Sequence, residues 1–280
     1  MKLLLFIADR PFTKAVTSFA EMIARPTKAA ITLMYVASQT GSLVDGEHDL
    51  DETRKLLPDF SVKQVLEKGD PIKELHKEVN QGDYDMVVIG ARHKIGYLQR
   101  KFSSLTQRVI KNCPLPVMMV RYPQTKLERV LICTGGLEIA EKAIHYGAQL
   151  ACNVGAKVTL LYVSDIIPHM YTGLDEMEET LEELLERDTP LAKHLRHGSE
   201  ILAQHCAQAE VEIQYGPVVE TILEKAHSGN YDLIVLGASQ AGNTLRGWLS
   251  GNVTFQIVER SNIPVLVVNS ELSKGDLWES

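Results

Sequence analysis

The sequence predicts an α/β fold: two tandem open, mostly parallel five-stranded sheets flanked by helices. Three observations predict it. Short runs rich in β-branched residues alternate with stretches of helical period along the whole chain. Those runs are almost continuously apolar, as for strands covered by helices on both faces. The second half of the chain repeats the first in the same order.

The repeat is explicit. Ile23-Ala24 and Ala30 to Val36 (AITLMYV) match Leu150-Ala151 and Lys157 to Val163 (KVTLLYV) at a shift of 127. Gly69-Asp70-Pro71 matches Gly216-Pro217-Val218, and Tyr84 to Ala91 (YDMVVIGA) matches Tyr231 to Ala238 (YDLIVLGA), both at 147. Cys113 to Val120 then matches Ser261 to Val268 at 148. The shift grows by 20 between the second and third strands, so the second copy carries an insertion within about 165–209. The expected organisation is a first domain over 1–122, a second over 127–270 and a polar tail over 271–280.

In chain order, LLLFIA, AITLMYV, SVKQVLE, DMVVIG and PVMMV are the strands of copy one. RVLIC, KVTLLYV, VEIQYG, DLIVLG and PVLVV are those of copy two. Helices between them show apolar spacings of three and four, as at Val16, Phe19, Ala20 and Ile23. The linker, Arg121 to Glu128, is too short for free tumbling of the two copies. The insertion predicts two helices. The first carries a stripe of Leu174, Met177, Leu181, Leu184 and Leu185 with glutamates opposite. The second is opened by Thr189 as a cap and Pro190 at the first helical position, and Leu191, Leu195, Ile201, Leu202 and Cys206 continue its apolar face. The glutamate run fits a solvated face; docking of a basic partner is the alternative.

Composition bounds the function. The chain has 280 residues, 45% hydrophobic and 23% charged, with a formal net charge of −7. That charge argues against a nucleic-acid partner, which would ask for a basic stripe. No apolar run reaches the roughly 18 residues that span a bilayer, so no membrane partner is expected. MKLLLFIAD has no small-residue cleavage site and reads as a first buried strand. Cys113, Cys133, Cys152 and Cys206 are scattered, with neither a CxxC pair nor a metal spacing. They are expected to be reduced, buried small hydrophobes in a cytoplasmic protein.

In open α/β sheets ligands sit beyond the carboxyl ends of the strands, which directs attention to the loops after the first and fourth strands. After the fourth strand, copy two reads GASQAGNTLRGWLSGNV, Gly237 to Val253, and then opens a helix. Glycines let the backbone approach an anion, and the free amides of a helix start can cradle phosphate. A glycine-rich surface turn that binds nothing is the alternative.

On both sides of this loop, YDLIVLGA and NIPVLVV, the sequence resembles the universal stress proteins, and the resemblance covers nearly the whole chain twice. It implies an adenine-nucleotide alpha-hydrolase-like, Rossmann-like fold and a role in stress-response regulation. It also implies an adenine nucleotide such as ATP, with Mg²⁺ accompanying it, because ATP-binding members follow the fourth strand with G-x2-G-x9-G-S/T. Copy two matches at Gly237, has Gln240 at the second glycine with Gly242 nearby, and closes on Gly251-Asn252 followed by Val253, one residue displaced. Copy one has Gly90, then His93 in place of the second glycine with Gly96 nearby, and ends on Ser103-Ser104. A Cβ at the second and third glycine positions would crowd a phosphate, so copy one is expected to be degenerate. ATP-binding members carry an Asp after the first strand. Here Asp9 lies one residue late in copy one, and Thr134-Gly135 stands there in copy two. The resemblance places the backbone of Val163, and of Val36 in copy one, near the adenine.

The last strands, PVMMV and PVLVV, imply pairing of the two domains with each other, with a homodimer open through the remaining faces. His194 and His197 are three apart on a helix but have no third zinc ligand, and solvent-facing histidines are expected. Arg92, His93, Lys94, Arg100 and Lys101, with Arg108 and Lys111, make a basic cluster that fits a plain solvated loop; an anionic ligand or the acidic insertion of copy two is the alternative. No Ser-His-Asp set or P-loop lysine can be assembled, so a binding module is expected; a weak ATP hydrolase and an interaction scaffold with filled pockets are the alternatives.

Overall fold

In the computed structural model every one of the ten expected strands forms. The structure describes residues 1–7, 12–90, 104–136, 140–164, 181–205, 208–238 and 251–269. Copy one runs β1 (Lys2–Phe6), α1 (Thr13–Thr27), β2 (Ala30–Ala37), α2 (Leu43–Lys55), β3 (Val62–Lys68), α3 (Pro71–Gln81), β4 (Met86–Gly90), α4 (Ser104–Asn112) and β5 (Val117–Val120). Copy two runs β6 (Arg129–Thr134), α5 (Glu141–Val154), β7 (Lys157–Ser164), α6 (Leu181–Glu186), α7 (Pro190–His205), β8 (Ala209–Tyr215), α8 (Val218–Ser228), β9 (Leu233–Ala238), α9 (Gly251–Arg260) and β10 (Val265–Asn269).

The two five-stranded sheets join into one of ten strands, in the order β3-β2-β1-β4-β5-β10-β9-β6-β7-β8. Within each copy the strands are parallel. At the seam β5 and β10 run antiparallel, with Met119 opposite Val265 and Val117 opposite Val267. Each copy thus covers the other's last edge, which would otherwise present unpaired amides. The outer edges, β3 and β8, carry Lys63, Glu67, Lys68, Glu210 and Glu212, charges that discourage further strand addition.

The pleat sorts the apolar runs into two layers. Leu3, Leu5, Met118 and Val120 face one side, where α1, α2, α5 and α7 pack. Leu4, Phe6, Val117 and Met119 face the other, under α3, α4, α8 and α9. Each layer continues across both copies, and each fully buried Leu or Val side chain contributes on the order of 1.5–3 kcal/mol. The repeated Tyr-Asp has a structural role. Asp85 N–H donates to the Lys2 carbonyl at 2.9 Å, and its carboxylate accepts from Lys2 N–H at 2.7 Å. The Asp232 carboxylate accepts from Glu128 and Arg129 N–H at 2.8 and 3.1 Å. In both copies the Asp pins the start of the first strand beside the fourth.

The linker is docked. Leu127 is buried in the core, and Gln124 N–H donates to Ser18 Oγ at 3.1 Å. Arg121, at the end of β5, crosses the seam. Its guanidinium donates to the carbonyls of Ser261 at 2.7 Å, Val258 at 2.6 Å and Glu259 at 3.2 Å, capping the end of α9. Tyr146 of α5 in turn donates its hydroxyl to the carbonyl of Asp85.

Between β7 and α7 lie residues 165–189, against 38–42 between β2 and α2, so the 20 extra residues fall before α7 and include α6. Thr189 Oγ1 accepts from Ala192 N–H at 3.2 Å, and Pro190 opens the helix, as the sequence predicts. Leu184 of α6 packs on Ala192 and Leu195. Leu174, Met177 and Cys206 lie outside the described residues.

Two expectations are corrected. Cys113 and Cys133 are buried, but Cys152 is exposed, because Ala148, Leu150 and Ala151 put the inner face of α5 elsewhere. Burial pushes the Cys113 thiol up to about 12. Arg108 is also not a free member of a basic cluster. It pairs with Asp70, whose carboxylate caps α3 through the N–H groups of Ile72 and Lys73. The Arg108 guanidinium, with the two amides, holds the Asp70 carboxyl below its ordinary value. Arg92, His93, Lys94, Arg100 and Lys101 lie outside the described residues.

Candidate functional site

Strand register brings the expected residues to one end of the sheet. In copy two Thr134 is opposite Tyr162, one residue before Val163, and Cys133 is opposite Leu236, one before Gly237. The carboxyl ends of β7, β6 and β9 therefore present Val163, Thr134 and Gly237 side by side. In copy one Phe6 is opposite Met34 and Ile89, which gathers Val36 and Gly90 at the ends of β2 and β4 in the same way. Asp9, Gly96, Ser103 and Gly242 lie outside the described residues, as do Gln240 and Arg246.

The corner between β9 and α9 has the features of an anion site. Gly251 and Asn252 open α9, Val253 follows in its first turn, and Thr254 Oγ1 donates to the carbonyl of Gly237 at 3.2 Å. That bond holds the first turn of the helix against the end of the strand, so its first amides, which have no partner within the helix, lie at the same end of the sheet. Among the described residues, a Cβ on Gly237 would meet nothing nearer than Ala140 Cα at 3.7 Å. In copy one a Cβ on Gly90 would overlap Phe12 Cβ. Phe12, just before α1, fills that space in copy one; its counterpart in the repeat, Ile139, lies outside the described residues. Ser104 opens α4, the counterpart of α9.

The opposite side of each corner shows the reverse asymmetry. Val36 is half-buried, while Val163 is fully buried. Thr134 is also fully buried, and its Oγ1 is hydrogen-bonded to His194 Nε2 at 2.7 Å. Thr134 Oγ1 also accepts the N–H of Gly136 at 3.2 Å, which folds the half-buried Gly135 turn back onto the strand. Gly136 has φ +75°, and a Cβ there would lie 2.6 Å from Leu191 Cδ1 and 3.2 Å from the Tyr162 ring.

His194 is therefore not solvent-facing, which corrects the expectation from sequence. The signal was present in the period: 191, 194, 195, 198, 201 and 202 follow one helix face, and His194 falls on it. His197 is exposed and lies near Glu200 and Glu141, at 3.4 and 3.8 Å. Among the described residues no three His, Cys, Asp or Glu side chains group as a metal site, and no helix is long and apolar enough to cross a membrane. Phe255 packs half-buried against the core of copy two, and Trp248 lies outside the described residues.

Comparison with known proteins bears on the family and the fold. A universal stress protein of Synechocystis sp. is 22% identical over 240 residues, covering 80% of this chain and 76% of its own. One from Methanocaldococcus jannaschii is 26% identical over 151 residues, covering 54% of this chain and 86% of its own. Among solved structures, a universal stress protein from Archaeoglobus fulgidus superposes with a TM-score of 0.68 at 19% identity, over 96% of this chain and 98% of that one. A protein of unknown function from Pseudomonas aeruginosa superposes with a TM-score of 0.66 at 15% identity, over 96% and 92%. These two show the shared fold. The model of the universal stress protein family matches twice, at residues 1–121 and 126–269, and the chain belongs to that family.

Proposed function

We propose that the chain is a stress-response regulatory protein that binds an adenine nucleotide in copy two, with Mg²⁺ accompanying ATP. The observation that carries this is the β9–α9 corner, where Thr254 holds the helix start against Gly237, which no described residue crowds. The first amides of a helix beside such a glycine suit a phosphate chain. Gly251 and Asn252 would contact the phosphates and Val163 the base. Copy one is the degenerate partner, since Phe12 fills the matching space beside Gly90. It serves to hold copy two through the β5–β10 seam. The proposed organisation is a domain over 1–122, a second over 127–270 and a tail over 271–280, acting in the cytoplasm and able to form a homodimer through faces outside the seam.

A specific observation favours a second reading, an interaction scaffold that binds no nucleotide: Thr134, Gly136 and Val163 are covered by the chain's own side chains. Weak ATP hydrolysis would need a cation at the γ-phosphate. Mass spectrometry of small molecules released from denatured protein separates these readings. AMP, ADP or ATP near one per chain, lost in a Gly251→Val variant, supports nucleotide binding. An empty extract that stays empty after incubation with ATP and Mg²⁺ supports the scaffold.

A further inference from the structure

The two copies differ most where their second crossover helix meets the strand ends. In copy one α2 packs over β2 and β3, its first turn capped by Ser42, with Leu43 44% and Val44 72% exposed. In copy two α7 lies along α5, and its first turns reach over the loop after β6. Leu191 presses on Gly136, and His194 is bonded to Thr134. The segment is braced from behind. Leu184 of α6 packs on Ala192 and Leu195, and Arg196 donates to the carbonyls of Leu185 and Arg187. The brace belongs to the 20 residues that copy one lacks.

We propose that α6 and α7 form an autoinhibitory brake on the copy-two site. This rests on the nucleotide reading above. Thr134 and Gly136, at the end of β6, are covered by His194, Leu191 and Tyr162, so a ligand whose phosphates sit at the β9–α9 corner reaches this side of the site only by moving the first turns of α7. Binding then carries the cost of breaking the Thr134–His194 hydrogen bond and uncovering Leu191. Weakening the α7 contacts removes that cost and raises apparent affinity, because a ligand's affinity is reduced by the fraction of protein in the competent state. The insertion is thus a natural point of control: whatever draws α6 away from α7 opens the site.

Isothermal titration of the full chain with ATP and Mg²⁺ reads the brake directly. A Leu191→Ala, His194→Ala double variant is expected to bind at least about fivefold tighter than the wild type, the low end of coupling between linked sites. Hydrogen exchange on the wild type needs no variant: ATP and Mg²⁺ should speed exchange in the first two turns of α7. If the double variant does not fold, this arm decides. Binding that is unchanged or weaker in the variant, or α7 protection that ATP leaves unmoved, overturns the brake while leaving nucleotide binding standing. No binding by either chain overturns both.

Discussion

Replacing Arg121 with Met tests how firmly copy one holds copy two. Arg121 is 5% exposed and donates three hydrogen bonds to the end of α9. Methionine keeps an unbranched apolar stem of similar reach, so the substitution removes the guanidinium with little loss of packing. Each bond from a charged donor is worth about 1.5–3 kcal/mol before the donor's own lost hydration is subtracted. That loss is large here: burial lowers the Arg121 guanidinium to about 10. Against it stands the cost of leaving the buried carbonyls of Val258 and Ser261 without a donor, about 1–3 kcal/mol each. The net destabilisation is about 3 kcal/mol, which at about 2–4 °C per kcal/mol lowers the melting temperature by roughly 6–12 °C. Calorimetry reads this loss, and hydrogen exchange localises it, with the last turn of α9 losing protection first. Arg121→Lys should recover only part of it, since one ammonium cannot fork to three carbonyls. A Met variant within about 1 °C of wild type would refute the reasoning, as would protection lost in copy one with α9 unchanged.

Three other outcomes follow from asymmetries already described. Gly90→Ala should destabilise by about 1–3 kcal/mol in urea unfolding, because its Cβ meets the stem of Phe12, whereas Gly237→Ala should stay within about 0.5 kcal/mol. The Asp70 carboxyl sits below its ordinary 3.8, so the stability it adds is complete above pH 3.8 and is lost as the pH falls through the lower folded value. Asp70→Asn, which keeps a capping oxygen, should therefore flatten the acid limb of the stability–pH curve, measured below pH 4. In native protein a maleimide should label Cys152 while Cys113 and Cys133 stay unmodified until unfolding, as peptide mapping would read.

The strands were legible because parallel strands buried on both faces write themselves as apolar runs. AITLMYV and KVTLLYV need no context, and the repeat confirms each by its twin. The insertion was legible only as a change of shift, since the residues between the second and third strands share no pattern on which to place the gap; the structure puts the extra length before α7. His194 was on the apolar face by its period, yet its residue type argued for solvent, and only the neighbouring strand supplies the Thr134 hydroxyl that makes burial affordable. Arg121 was not legible at all: its three partners are carbonyls, 137 to 140 residues away, and a carbonyl leaves no trace in residue type.

The same difficulty explains why motif matching alone ranks the two corners only partly. The glycine pattern compares residues of one loop, whereas room for a ligand is set by the neighbours of that loop. Gly90 and Gly237 are the same residue at the same strand end, and among the described residues what separates them is Phe12, just before α1, which a Cβ on Gly90 would overlap, against Ala140, 3.7 Å from a Cβ on Gly237. Val36 and Val163 are likewise identical, yet Val36 is half-buried and Val163 fully buried in the layer under α8 and α9. Among the described residues the two corners thus differ twice, at Gly90 against Gly237 and at Val36 against Val163. Two copies that each kept a whole site would have no reason to differ in this way. The proposed reading, one controlled site in copy two and one structural partner in copy one, accounts for both differences together.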